Sequence, residues 1–172
     1  MRGRLVTLDR LLTMQELVDE LDREFGELEP DLSGLRLLSP GLTQADVTKL
    51  QLTIGHEFPA SFASTITAFN LGMFTIGPTA FGSQGDYSDT LRDANVAPVV
   101  PWWGEGRRPA SLVMIANSDP YALVLDCKTG NVLALQHGSN FDQAVIVASD
   151  FGLFLRGIGT VFVARLSSNV RT

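Results

Sequence analysis

Apolar residues recur at a helical spacing along the first part of the chain: Leu8, Leu11, Leu12, Leu17, Val18, Leu21 and Phe25 form one stripe. Thr13, followed three residues later by Glu16, carries the reciprocal groups of a capping box, and Gly26 supplies a stop. The spacing predicts a helix over 14–25, with residues 8–12 leading into it. Residues 27–40, rich in Gly, Pro and acid, read as a connector. Thr43 then opens a second helix with Val47, Leu50 and Ile54 on one side, closed by Gly55. Pro59 fits the first turn of a third helix, where the N–H it lacks has no partner to lose. Phe62, Ile66 and Phe69 follow at i, i+4 and i+7, and Asn70 with Gly72 end that helix. Its many Ser and Thr residues are poor helix formers, so its stability rests on burying the Phe62–Ile66–Phe69 stripe.

After Gly72 the period shortens to two. Strands are predicted at 73–76, 112–116, 121–126, 131–136 and 144–149. The stretch 77–101 reads as a long polar connection, with 96–100 as a further edge strand. Asp119-Pro120 and Lys128-Thr129-Gly130 supply turn chemistry between strands. Asp150 to Gly157, with Phe151, Phe154 and Leu155, suits a short C-terminal helix capped by Ser149 or Asp150. Val161 to Ala164 either extends that helix or forms a last strand. Helices first and strands afterwards predict an α+β fold: N-terminal helices packed on a mainly antiparallel sheet.

One hairpin is legible residue by residue. With Asp126 opposite Asn131, Leu123 faces Ala134 and Leu125 faces Val132, while Ala122, Val124, Leu133 and Leu135 occupy the other face. Both faces are apolar. One covers the helices; the other needs a cover of its own or a partner.

The length, 172 residues, is that of one domain, so 1–172 is read as a single unit. Thirteen Lys plus Arg against nineteen Asp plus Glu leave a net charge of −6. That sign argues against a direct nucleic-acid binder, whose affinity comes largely from cation–phosphate contacts, and suits a basic protein partner. The acids concentrate in the N-terminal fifth, from Asp9 to Asp31, as a solvated helix face or a docking surface. One cysteine, Cys127, excludes an internal disulfide framework and a Cys-rich zinc site. The apolar stretches are strand-sized, so a cytoplasmic protein with no membrane span is expected.

No catalytic constellation emerges. Cys127 and His137 lie at opposite ends of a strand, and seven residues of strand span roughly 23 Å, far beyond hydrogen-bond reach. His56-Glu57 has no second His one turn on. Gly82-Ser83-Gln84-Gly85-Asp86 lacks the Gly-Lys-Ser/Thr of a phosphate loop, and Ser64, Ser111 and Ser118 are not in nucleophile-elbow sequences. Asp119 and Asp126 read as turn formers. The expectation is a protein that is not an enzyme and has neither catalytic residues, metal site nor cofactor. Trp102-Trp103 beside Arg107-Arg108 is the most unusual surface candidate, because indole and guanidinium dominate binding hot spots. Packing at the sheet edge or in the core is the other reading of the tryptophan pair.

Ile54-Gly55-His56-Glu57-Phe58-Pro59-Ala60-Ser61-Phe62, continuing to Phe69-Asn70-Leu71-Gly72, resembles the start of a SUKH-superfamily domain. That superfamily includes yeast cell-wall-assembly regulators linked to killer-toxin resistance and many bacterial immunity proteins. Ile54-Gly55 stands where the family has Leu-Gly, and Leu71 interrupts its Asn-Gly helix ending. Leu112–Ala116, Asn117-Ser118-Asp119, Tyr121–Asp126, Thr129-Gly130-Asn131-Val132, His137-Gly138 and Val147-Ala148-Ser149-Asp150-Phe151 through Phe154-Leu155 are similar to its later elements, in order. The likeness runs over about 41–157; residues 1–40 form an N-terminal extension outside it, and 77–101 is longer than in shorter relatives.

The resemblance implies helices on a curved sheet and an immunity protein that binds and neutralises a cognate polymorphic toxin, often a nuclease. Facing a basic toxin, such a protein uses acids for encounter and aromatics for residence. Asp86, Tyr87 and Asp89, with Trp102 and Trp103, are the residues expected on that surface. A regulatory domain binding a small molecule or peptide in an apolar pocket is the alternative.

Overall fold

The computed structural model describes residues 9–28, 34–83, 85–97, 101–103 and 108–169. Leu8, part of the 27–40 connector, Gln84, residues 98–100 of the expected edge strand and Arg107 lie outside the described residues.

Helix α1 (Met14–Phe25) starts on the expected box: the Glu16 N–H donates to Thr13 Oγ1 at 3.1 Å, and the Thr13 N–H to Glu16 Oε2 at 2.8 Å. The α-helix ends at Phe25 with Gly26 as its C-cap, as expected. That residue keeps a right-handed φ of −60°, and the chain runs on into a 3-10 turn over Gly26–Leu28. Helix α2 (Gln44–Ile54) has its own box on Thr43 and Asp46 and ends at Gly55, whose φ of 88° favours glycine. Helix α3 (Ala60–Ala68) begins after Pro59, which caps it without a side-chain bond. Phe69 is the residue after the helix and is extended (φ −129°), so it leaves the Phe62–Ile66 stripe and is only half-buried.

The sheet is a six-stranded antiparallel meander in chain order: β1 (Thr75–Ile76), β2 (Thr79–Ala80), β3 (Leu112–Ser118), β4 (Tyr121–Asp126), β5 (Val132–Gln136) and β6 (Val145–Ala148). In the β4–β5 hairpin Leu123 pairs with Ala134 and Leu125 with Val132, the register expected from the sequence. The stretch 77–101 is not a plain connection. It contains β2 and a helix, α4 (Tyr87–Asn95), capped by Asp86 through a 2.8 Å bond from the Ser88 N–H. Val96 and Ala97 follow α4 and belong to no strand.

The C-terminal helix α5 (Phe151–Asn169) has 19 residues and runs well past Gly157. Val161 to Ala164 therefore extends a helix. Asp150 caps it, accepting from the Leu153 N–H at 2.8 Å and from Ser61 Oγ at 3.1 Å, which ties α5 to α3. By length and composition α5 is apolar enough to cross a membrane, yet Phe151, Leu155 and Val163 are buried against the rest of the chain.

The main core lies between the helices and one face of the sheet. Phe62, at its centre, contacts Phe58, Tyr87 and Phe151 edge-to-face, with ring centroids 4.9–6.4 Å apart. Edge-to-face contact sets positive ring edges against negative ring faces and adds to the area these rings bury. Of the residues expected to be buried together, Phe62, Ile66, Leu123, Leu125, Phe151 and Phe154 are. The lead-in to α1 is bolted to α5: the Leu12 N–H donates to buried Thr160 Oγ1 at 2.9 Å, and Arg156 Nε donates to the Leu12 carbonyl at 2.7 Å.

Candidate functional site

The second face of the hairpin has its own cover. Trp102 is buried there with Ala122, Val124 and Leu135, and Trp103 and Phe141 pack around it. Trp102 Nε1 donates to the Ala94 carbonyl at 3.0 Å, and its ring meets Trp103 at 5.3 Å and Phe141 at 6.3 Å between centroids. Buried Asn95 holds this corner to the sheet. Its Nδ2 donates to the carbonyls of Leu91 (2.8 Å) and Met114 (2.9 Å), and its Oδ1 accepts from the Met114 N–H (2.8 Å). Arg108 also donates to Asn95 and lies over the Trp103 ring at 5.9 Å. Burial lowers the Arg108 pKa from its ordinary value.

This geometry corrects two of the expected partner-facing residues. Tyr87 is fully buried, its hydroxyl donates to the Ile115 carbonyl at 2.7 Å, and burial raises its pKa well above the usual phenol value. Trp102 is buried because the sheet needs an apolar cover on that face. Neither presents a surface to a partner. Asp86 and Asp89 are exposed, but the first caps α4 and the second pairs with Arg92 at 2.8 Å. Trp103 is half-buried against Trp102.

Cys127 and His137 lie at opposite ends of the β4–β5 hairpin. Burial, reinforced by the Asp126 charge, pushes the Cys127 thiol up to about 12, so it is not poised as a nucleophile. His137 Nε2 is 2.8 Å from Asn117 Oδ1. Among the described residues no three His, Cys, Asp or Glu side chains converge on a metal-sized site.

The apolar pocket of the alternative reading has a counterpart whose place the sequence did not give: an open groove of about 650 Å³ between α5 and the helix-side face of the sheet. Leu123, Val147 and Ala148 line it from the sheet, and the β1–β2 turn, Ile76 to Thr79, forms a further part of the wall. The α5 wall is built from two rows four residues apart, Leu153–Gly157–Val161–Arg165 and Phe154–Ile158–Phe162. Those rows are visible in the sequence as a helical period running past Gly157. Arg165 is the one charged residue of the lining, and it makes no hydrogen bond or ion pair among the described residues. Thr79 and Ser118 meet at 3.4 Å between their hydroxyl oxygens.

Strand β6 is an edge of the sheet, paired only with β5 among the described strands. Its residues Val145, Ile146 and Val147 are 62%, 60% and 46% exposed. Alternation puts Val145 on the Ala134 side and Ile146 on the Leu133 side, so the edge is apolar on both faces. Among the proteins compared with this chain, no family model and no curated sequence matches it.

Proposed function

We propose that this chain is a non-catalytic immunity protein that binds and neutralises a cognate toxin, the reading its SUKH resemblance implies, and that β6 is where the toxin docks. The observation that carries it is the edge itself. Natural sheets protect exposed edges with charge, proline or strong bulging, because bare backbone donors and acceptors invite a further strand. Val145-Ile146-Val147-Ala148 contains neither charge nor proline; its single bulged residue is Val147, and Val145 and Ile146 stay in register with β5. An edge of this kind suits a partner that adds a strand, with backbone bonds giving affinity and alternate side chains giving specificity. Asp142 and Asp150 flank the strand and the net charge is −6, which favours a basic toxin segment. Such a protein acts in the cytoplasm, where it meets its toxin.

The test is growth rescue on co-expression with candidate toxin domains taken from the reading frames adjacent to the chain's own gene. Wild type should restore growth, and Ile146→Lys or Val145→Pro, both on the exposed edge, should abolish rescue while leaving the thermal melt unchanged. Rescue that survives both substitutions moves the interface elsewhere; no rescue by wild type removes the immunity reading. A second reading, a small-molecule or peptide-binding regulatory domain, draws on the groove, whose volume falls within the few hundred to about 1,000 Å³ common for ligand sites.

A further inference from the structure

We infer that the groove between α5 and the sheet is a binding site for a small amphipathic carboxylate, with its apolar tail against the bare helix backbone at Gly157 and its carboxylate on Arg165. The inference does not depend on the β6 edge or on a toxin.

Gly157 is the first observation. Glycine weakens a helix interior, so a fold keeps one there when something needs the space. Gly159, two residues on, has such a reason within the chain: a Cβ there would stand 2.6 Å from Leu17. Gly152 is likewise crowded by Ser61 and Asp150. At Gly157 a Cβ meets nothing within 4 Å, so no packing inside the protein accounts for it. The empty space opens into the groove, between Leu153 and Val161, which are 37% and 44% exposed.

Arg165 is the second. It stands on the same row as Gly157, eight residues on, which is about 12 Å along a helix. It is the lining's single charge, and it has no counter-ion among the described residues. The lining holds no carboxylate, so a ligand anion meets attraction there and no local repulsion. An apolar chain ending in a carboxylate satisfies the tail space, the length and the charge together. An alcohol of the same length satisfies only the first two.

The probe is 11-(dansylamino)undecanoic acid, followed by its emission, with decanoate and decan-1-ol as competitors on the full chain. Wild type should give a saturable rise, displaced by decanoate at least tenfold more effectively than by decan-1-ol. Gly157→Leu, which fills the notch with a strong helix former, should abolish the rise; Val161→Asp, which sets a like charge on the exposed lip between the notch and Arg165, should do the same if Gly157→Leu alters folding. Arg165→Gln should keep the rise but lose the preference for the acid over the alcohol. No saturable emission with wild type, or wild-type affinity in both Gly157→Leu and Val161→Asp, overturns the site. An undiminished preference for decanoate in Arg165→Gln overturns the carboxylate assignment.

Discussion

Gly159 and Leu17 fit together as a missing side chain and the side chain that takes its place: a Cβ on Gly159 would lie 2.6 Å from both Leu17 methyl carbons. Leu17 is fully buried, so it has nowhere to retreat. Through this contact α1 approaches α5 closely enough for the Leu12–Thr160 and Leu12–Arg156 bonds to close.

Gly157 and Gly159 should therefore respond with opposite signs to the same substitution. Gly159→Ala should destabilise the fold by about 1–3 kcal/mol through overpacking. Gly157→Ala, free of contacts, should stabilise it by about 0.4–1 kcal/mol by restricting the unfolded chain. Thermal melts of the two variants check this, at roughly 2–4 °C per kcal/mol for a domain of this size.

Asn95 offers a sharper test of the corner under the tryptophans. Asn95→Leu keeps the volume but strands the Met114 N–H and carbonyl, and a buried polar group left unpaired costs about 1–3 kcal/mol. We expect a loss near the upper end, about 2–3 kcal/mol, read as a lower urea midpoint with an unchanged slope.

Acid should loosen the start of α1. The Arg10 guanidinium, bonded to Glu16, and the Thr13 N–H hold the Glu16 carboxyl at about 2, against an ordinary value of 4.5. A carboxyl depressed in the folded state contributes stability that is present above the unfolded value and is lost as pH falls through the folded one. Stability should thus decline between about pH 4.5 and pH 2. In Glu16→Gln that decline should be shallower, as measured by thermal midpoint against pH.

Cys127 should be a poor nucleophile and His137 dispensable. With its thiol at about 12 against an ordinary 9.0, Cys127 should react with a disulfide reagent at pH 8 at least tenfold more slowly than a free cysteine, roughly the loss of thiolate offset in part by the greater nucleophilicity of a basic thiolate. Cys127→Ser and His137→Ala should each leave the proposed toxin protection intact. Loss of protection in both, with folding preserved, would restore a catalytic reading.

Local chemistry made part of this fold readable from the chain. The Thr13–Glu16 capping box and the β4–β5 register depend on residues three apart or directly opposite, and both follow from the sequence. Helix α4 does not, because its buried row is Tyr87, Leu91 and Asn95. The third position is polar, so the apolar period is cut to two residues. In α5 the glycines at 152, 157 and 159 mimic a helix end, whereas two of them make room for Ser61 and Leu17. The hairpin's uncovered face and the Trp102-Trp103 pair are each evident in the sequence, but only tertiary structure joins them. That joining turns Trp102 from a surface anchor into core.

The bolt between the α1 lead-in and α5 also sets an order of events during synthesis. Each strand of the meander pairs with its immediate predecessor, so the ladder has its partners as soon as each hairpin leaves the ribosome. Helix α1 emerges before all of them and waits for α5, which follows the last strand. Until then the stripe carrying Leu17 and Leu21 has no helix to cover it, and exposed apolar surface of that kind is what chaperones hold and what aggregates. The newborn chain is thus most vulnerable at α1, and α5 is the element that ends the risk.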